Sequence, residues 1–161
     1  PLVSAAHYEN VKDFMANAKA SNAQHVCGGD ALDIDGGYYI SPAIFADCTD
    51  DMNFVQEEVF GPLMAVLKFS SEEEVLERAN NTDFGLSGAV FTQNFSRAHR
   101  VANKIQAGTV WINEYNITPA EVPFGGYKQS GVGRENGLQA LEYYTQLKTI
   151  YANLGDIPHS F

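Results

Sequence analysis

The segment QEEVFGP, residues 56–62, places two carboxylates beside an aromatic ring and a Gly-Pro break. A carboxylate such as that of Glu58 can accept two hydrogen bonds from a vicinal diol such as ribose. The ring of Phe60 can press on a flat heterocycle. From the residues alone, the favoured interpretation is still a solvated helix end followed by a core phenylalanine, so a ligand is assigned here only with further support.

The longest predicted loop, residues 114–133, is rich in aromatic residues, proline and glycine rather than in charge. It follows a predicted strand, and parallel α/β sheets bind ligands beyond the carboxyl ends of their strands. Loops longer than about 12–15 residues are usually functional or disordered, and we favour a functional one. The run GVGRENG, residues 131–137, lacks the spacing and the preceding strand of a dinucleotide fingerprint, so it is interpreted as a tight turn entering a helix.

The sequence contains no GxSxG, HExxH or GxxxxGK[ST] motif that would indicate a nucleophile, a zinc centre or a phosphate loop. Cys27 and Cys48 are separated by 21 residues without CxxC or Cys/His spacing. Free thiols are therefore expected rather than a disulfide or a zinc site. Four histidines are expected to be surface or capping residues, namely His7, His25, His99 and His159.

Alternating helical and strand-like patterns must position these residues. Helical periodicity covers residues 8–20, 72–80, 95–105 and 135–143, and strand-like runs cover residues 24–27, 38–40, 63–69, 86–92, 109–113 and 145–154. Ser71 with Glu74 forms a capping box, and Asn94 can cap the next helix, whose apolar face includes Phe95. The strand–helix order in the middle of the chain predicts an α/β fold with a parallel βαβ sheet.

Composition limits the classes of partner. The chain has 20 Asp and Glu against 10 Lys and Arg, a net charge of −10, and no basic run. Phosphate needs cationic partners, so nucleic acid and anionic membrane surfaces are not expected to bind. No apolar stretch approaches the roughly 18–20 residues of a membrane span. We therefore expect a soluble, cytoplasmic globular protein that binds neither nucleic acid nor membrane.

Three segments occur in the order and at the spacing seen in aldehyde dehydrogenases: EEVFGP, NNTDFGLSGAVFT and PFGGYKQSGVGRENG. The resemblance covers the whole chain. Within that family the chain is most similar to the branch that oxidises betaine aldehyde to glycine betaine, and the branch acting on 4-trimethylaminobutyraldehyde is the alternative. The resemblance implies NAD-dependent chemistry, in which a thiolate attacks the aldehyde, hydride passes to NAD and an activated water hydrolyses the thioester.

The same resemblance shows what this chain lacks. Members of the family carry an LELGGK-like segment with the general base, a GQxC segment with the nucleophile and most of the NAD-binding domain, none of which occurs here. Residues 1–144 are thus expected to be the C-terminal part of the catalytic domain, inactive alone. Residues 145–161 are expected to form an oligomerisation strand and tail, which implies a homo-oligomer, a dimer or tetramer. A non-catalytic oligomerisation module is the alternative from another class.

The resemblance implies roles for three acidic or aromatic residues. Glu58 matches the residue that holds the nicotinamide ribose, and Phe60 matches the ring that sets the position of the nicotinamide, which reverses the preference stated above. NAD is therefore the expected cofactor, with NADP possible. Glu135 matches an acid that acts as charge-relay partner of an upstream lysine absent from this chain. A structural acid at a helix N-terminus is the alternative.

Phe124 matches an aromatic residue of the substrate tunnel, and Ile117 and Thr118 are expected to line that tunnel. Aromatic faces bind a quaternary ammonium well, and nearby carboxylates such as Glu114 or Glu121 can add to the attraction. The alternative for Phe124 is core packing, which is also the expectation for Trp111.

Lys128 and Gly131 match positions whose backbone carbonyls bind potassium at subunit contacts. A turn of glycines can direct carbonyl oxygens at one cation, and the lysine side chain would not be a ligand. The alternative is simply a tight turn.

Overall fold

A computed structural model describes residues 1–156, and the expected surface position of His159 lies outside them. The chain divides into two units, Pro1–Thr82 and Asp83–Phe161, each of which is described separately. Both contain parallel strand pairs, so the α/β fold class is confirmed. Within the described residues no helix has the length and apolarity needed to cross a membrane.

The first unit is a three-stranded sheet covered by a long helix. Its elements are α1 (Ala5–Ala20), β1 (Gln24–Cys27), β2 (Ala31–Leu32), β3 (Tyr39–Ile40), β4 (Ala43–Ala46), α2 (Asn53–Gln56), β5 (Leu63–Ala65) and α3 (Glu72–Asn80). The sheet order is β1-β4-β5, antiparallel between β1 and β4 and parallel between β4 and β5. Val11, Met15 and Ala18 of α1 lie in one buried cluster with Phe45 and Phe54, as the periodicity of α1 predicts.

A short strand that was not predicted lies between the first two predicted strands. The strand predicted near residues 38–40 exists as β3, and it pairs with β2, which lies between β1 and β3 in the sequence. The tight turn that allows this is closed by a hydrogen bond from the Gly37 N–H to the Ile34 carbonyl (2.8 Å). The place beside β1 is taken by β4, a strand that starts directly after Pro42 and that the sequence analysis did not predict.

The capping box of α3 forms with one change of partner. The Ser71 hydroxyl accepts a hydrogen bond from the Glu74 N–H (3.1 Å), while the Glu74 carboxylate accepts one from the Ser70 N–H (2.8 Å). Arg78 also bonds Glu74 (2.7 Å) and reaches Asp50 (2.7 Å). The Ser70 N–H and then Arg78 lower the pKa of Glu74, because both stabilise the charged carboxylate.

The second unit contains the predicted parallel crossover. Its elements are β6 (Phe84–Gly85), β7 (Ser87–Val90), α4 (Phe95–Lys104), β8 (Thr109–Ile112), β9 (Tyr127–Lys128), a short 3₁₀ helix (Leu138–Ala140) and α5 (Leu141–Tyr144). β7 and β8 are parallel and joined by α4, whose N-terminus is capped by the Asn94 side chain, an acceptor from the Arg97 N–H (2.8 Å). β6 pairs antiparallel with β9, so the long predicted loop contains one short strand.

Two expectations about the sheet and helix faces need correction. The strands β5 and β7 belong to different sheets, so the single parallel sheet expected for the middle of the chain is not formed. The alternation of elements along a sequence does not by itself assign strands to sheets. Phe95 was expected on the buried face of α4 but is 77% exposed, and its ring makes a tilted contact with that of His99 one helical turn later (ring centres 4.4 Å apart).

The last helix and strand also differ from the expectation. The helix predicted from residue 135 starts only at Leu138, because Asn136 (φ +64°) and Gly137 (φ +60°) have left-handed backbone conformations that a right-handed helix excludes. Residues 145–156 form no strand, and their large side chains are almost fully exposed. A strand needs a neighbouring strand for its hydrogen bonds, and none lies beside this segment within the described chain.

Replacing Ser71 by alanine should lower the free energy of unfolding by about 1 kcal/mol, since it removes the side-chain cap of α3. Urea denaturation followed by circular dichroism measures the change. Ser70→Ala is the matched control, because Ser70 contacts Glu74 through its main-chain N–H, which alanine keeps. Equal losses in both variants would show that the hydroxyl of Ser71 is not the stabilising group.

Candidate functional site

The segment after α2 exposes the two side chains that the sequence analysis singled out. Val59 is buried in the core of the first unit, whereas Glu58 and Phe60 on either side of it are exposed. Phe60 is 74% exposed, so the interpretation as a core phenylalanine is wrong. The carboxylate and the ring are thus presented outward from a segment that Val59 attaches to the core.

Two contacts hold this segment against α1, one at Gly61 and one at the Phe60 carbonyl. Phe60 has a left-handed conformation (φ +49°), which costs an ordinary residue about 1–2 kcal/mol and must be held by its surroundings. Gly61 follows it, and a Cβ at that position would come within 2.5 Å of the Cγ1 of Val11. The Phe60 carbonyl lies 2.7 Å from the Nε2 of His7 in the first turn of α1.

In the second unit the structure joins the predicted tunnel residue to the predicted relay acid. Phe124 and Glu135 form an isolated antiparallel bridge, with the N–H of each donating to the carbonyl of the other at 2.8 Å. Glu135 is therefore held in an extended pair rather than at a helix N-terminus, and the alternative based on a helix N-terminus is wrong. The bridge brings together two residues that lie 11 positions apart in the chain.

The glycine-rich turn beside the bridge is held by Arg134. Its Nη1 donates to the carbonyls of Gly133 (2.7 Å) and Gly126 (3.1 Å), and its guanidinium lies 5.5 Å from the centre of the Tyr127 ring. These hydrogen bonds satisfy carbonyls that a turn without regular secondary structure would leave unpaired. The Arg134 side chain thus forms hydrogen bonds within the turn, while the neighbouring Glu135 is exposed.

A cavity of about 410 Å³ lies beside the bridge. Its lining includes Phe124, Gly131, Arg134, Glu135 and Tyr143. An aromatic ring and a carboxylate at one cavity are the groups that attract a quaternary ammonium.

Ile117 and Thr118, which were expected to line the tunnel, do not line this cavity. Both are exposed, and the Ile117 carbonyl accepts a hydrogen bond from the Trp111 Nε1 (2.9 Å). Trp111 is only half-buried, because its ring meets this loop and the edge of Tyr115 rather than a core. Glu114 is exposed and bonds the Tyr115 N–H (2.9 Å).

The two positions expected to bind potassium lie near the same turn. Lys128 is in β9 with φ +51°, and Gly131 has φ +132° and lines the cavity. Among the described residues no group of three or more His, Cys, Asp or Glu side chains could hold a metal ion.

Tyr144 contacts Glu135, a pair that the sequence analysis missed. The Tyr144 hydroxyl lies 3.2 and 3.3 Å from the two carboxylate oxygens, and this contact raises the pKa of Tyr144 because the carboxylate favours the protonated phenol. The residues are nine positions apart, Glu135 in the bridge and Tyr144 at the end of α5, a spacing that no single helical or strand period connects. Only the position of α5 relative to the bridge brings them together.

The histidines and cysteines mostly follow the expectation. His25 and His99 are exposed, and both cysteines are free thiols, Cys27 exposed and Cys48 buried. His7 is different, since it is partly buried and contacts the carbonyl of Phe60.

The family model described as "Aldehyde dehydrogenase family" matches residues 1–150. The chain is 53% identical over 160 residues to a betaine aldehyde dehydrogenase of Brucella anthropi, which covers 98% of this chain and 33% of that protein. It is 52% identical over 166 residues to a 4-trimethylaminobutyraldehyde dehydrogenase of Rattus norvegicus, covering 100% of this chain and 34% of that protein. The chain thus spans about a third of the length of these relatives.

Solved structures of aldehyde dehydrogenases are also similar to this chain. An aldehyde dehydrogenase from Bacillus cereus in complex with NAD+ matches 96% of this chain and 31% of its own, with a TM-score of 0.92 and 50% identity. A betaine aldehyde dehydrogenase from Staphylococcus aureus in complex with NAD+ matches 89% of this chain and 29% of its own, with a TM-score of 0.85 and 44% identity.

Replacing Glu135 by glutamine should lower the pKa of Tyr144 towards its ordinary value of 10.0, because the neighbouring negative charge is removed. A pH titration of tyrosinate absorbance measures this as earlier ionisation of one phenol. In a Tyr144→Phe background, Glu135→Gln should leave the titration curve unchanged. A shift that persists in that background would assign the effect to another tyrosine.

Proposed function

The chain belongs to the aldehyde dehydrogenase family, and we propose that it is the C-terminal part of an NAD-dependent betaine aldehyde dehydrogenase, which oxidises betaine aldehyde to glycine betaine. The observation that carries this proposal is the 53% identity to a betaine aldehyde dehydrogenase over 98% of the chain. The nucleophile and the general base belong to segments of the family that this chain lacks. The chain alone is therefore proposed to be inactive.

Glu58 and Phe60 are proposed to hold the nicotinamide end of the cofactor. Glu58 is exposed and can accept hydrogen bonds from both ribose hydroxyls, while the exposed Phe60 ring can press on the nicotinamide. NAD supplies the hydride acceptor when it is bound. The preference for NAD over NADP would be set by residues outside this chain.

Phe124 and Glu135 are proposed to serve the substrate side. Their shared bridge places an aromatic ring and a carboxylate at one cavity, which suits a trimethylammonium group. Phe124 is proposed to contact the substrate, with Ile117 and Thr118 further along the tunnel. Glu135 is proposed to stabilise an ammonium charge supplied by a lysine of the missing segment.

The same proposal has three further parts. Potassium binds at the main-chain carbonyls of Lys128 and Gly131, residues 145–161 assemble the protein into a homo-oligomer, and the protein is cytoplasmic. The support for the oligomerisation segment is the exposure of Leu147, Ile150 and Tyr151, which form no strand within the chain. An oligomerisation module without activity is the alternative that this exposure favours. Residues 1–144 are proposed to belong to the catalytic domain.

The other candidate function keeps the chemistry and changes the aldehyde. The 52% identity to a 4-trimethylaminobutyraldehyde dehydrogenase favours it nearly as strongly. Both substrates carry the same trimethylammonium group, so the cavity beside Phe124 does not separate them. They differ in the length of the chain between the ammonium and the aldehyde.

The proposal is tested first on the native gene product. An antibody to this segment should detect, in the source cells, a protein about three times heavier than 17.6 kDa, since the chain spans about a third of its relatives. The purified protein should then reduce NAD with betaine aldehyde, with higher activity in potassium than in sodium. A marked preference for the longer aldehyde would establish the second candidate instead.

A product of 17.6 kDa without activity would overturn the enzyme proposal and leave the oligomerisation module. Activity that is equal in potassium and in sodium would refute the cation site while leaving the enzyme proposal intact.

Glu58→Gln in that full-length enzyme should raise the Kd for NAD about tenfold, because a neutral amide accepts ribose hydrogen bonds less strongly than a carboxylate. Quenching of intrinsic fluorescence by NAD measures the Kd. Glu57→Gln is the matched control, a neighbouring exposed carboxylate that ends α2 and has no assigned role. An equal loss in both variants would point to general negative charge rather than to the ribose contact.

A further inference from the structure

His7 forms a side-chain hydrogen bond from α1 to the Phe60 main chain. Its Nε2 lies 2.7 Å from the Phe60 carbonyl oxygen, across 53 positions of sequence. The first turn of α1 that carries His7 is itself fixed, because the Ser4 hydroxyl accepts a hydrogen bond from the His7 N–H (3.2 Å). The imidazole therefore extends from an anchored backbone.

The chemistry of the two partners decides which nitrogen carries the proton. A carbonyl oxygen can only accept, so the Nε2 of His7 must be the donor. The other ring nitrogen, Nδ1, is buried and has no hydrogen-bond partner among the described residues. A bare lone pair can remain there, whereas an N–H would be a buried donor without an acceptor. The contact thus makes Nε2 the donating nitrogen of His7 and the Phe60 carbonyl its acceptor.

The hydrogen bond from His7 is made at a residue with a strained backbone conformation. Phe60 has the left-handed conformation that an aromatic residue seldom adopts, and its carbonyl is the atom that His7 binds. On either side, Val59 is buried in the core and Gly61 packs against Val11. With three successive residues held in this way, the Phe60 ring has little freedom except rotation about its own side-chain bonds.

We propose that His7 is a positioning residue, which fixes the Phe60 main chain through its Nε2–H and so holds the Phe60 ring and Glu58 for the nicotinamide end of NAD. This inference rests on the proposed function, since Phe60 and Glu58 are cofactor residues only there. His7 itself is not proposed to touch the cofactor. Its effect on binding is exerted through the conformation of residues 58–61.

The test compares His7→Leu, which keeps an apolar side chain of similar bulk but loses the donor, with His7→Gln, whose amide can donate from nearly the same place. Both are made in the full-length enzyme. We expect His7→Leu to raise the Kd for NAD about fivefold, in proportion to one lost hydrogen bond, and to accelerate amide hydrogen exchange over residues 58–61. His7→Gln should keep both the Kd for NAD and the exchange rate over residues 58–61 close to the values of the unmodified enzyme.

His25→Leu is the matched control. Its imidazole also contacts a loop carbonyl, that of Gly28 at 2.9 Å, but away from residues 58–61. It should change neither the Kd for NAD nor exchange over that segment.

Unchanged exchange over residues 58–61 in His7→Leu would overturn the proposal, as would equal damage in His7→Leu and His7→Gln, which would indicate packing rather than donation. The Glu58→Gln variant separates this failure from that of the proposed function. If Glu58→Gln leaves NAD binding intact, the cofactor assignment fails, and hydrogen exchange alone decides whether His7 fixes Phe60.

Discussion

At Gly61 and at Gly108 the main chain comes so close to a neighbour that no side chain would fit. A Cβ on Gly61 would lie 2.5 Å from Val11, and one on Gly108 would lie 1.7 Å from the carbonyl oxygen of Gly125. The first approach sets the segment that carries Glu58 and Phe60 against α1. The second sets the turn after Phe124 against the start of β8. Both candidate sites therefore depend on main-chain contacts that only glycine permits.

Local signals predicted the elements well because each acts within a few residues. The Ser71 box and the Asn94 cap are hydrogen bonds to N–H groups three positions away, and both occur. The contacts that build the sites join distant residues instead, such as His7 to Phe60 or Tyr144 to Glu135. No periodicity encodes such pairs, since they follow from the way whole elements pack. The sequence therefore predicted the helices and strands better than the site geometry.

Residue chemistry and family resemblance gave opposite interpretations of Phe60, and its exposure contradicts the first of them, a core phenylalanine. Apolar side chains are usually buried, so composition favours a core phenylalanine. The Phe60 ring is 74% exposed and stands on a strained backbone that is held from two sides. Such a ring adds almost nothing to the buried hydrophobic surface of the core. Strain of this kind persists where the surroundings over-determine the conformation, as they do at functional positions. The exposure thus supports the ligand contact proposed for Phe60.

The two units differ in how they are stabilised. The hydrophobic cluster of Val11, Phe45 and Phe54 lies wholly in the first unit, whereas the buried apolar residues described in the second are Ala98 and Ala107. The first unit therefore contains the larger fully buried hydrophobic core. The second unit also leaves Val132, Leu147 and Leu154 almost fully exposed. Large exposed apolar side chains of this kind support the proposed assembly into a homo-oligomer.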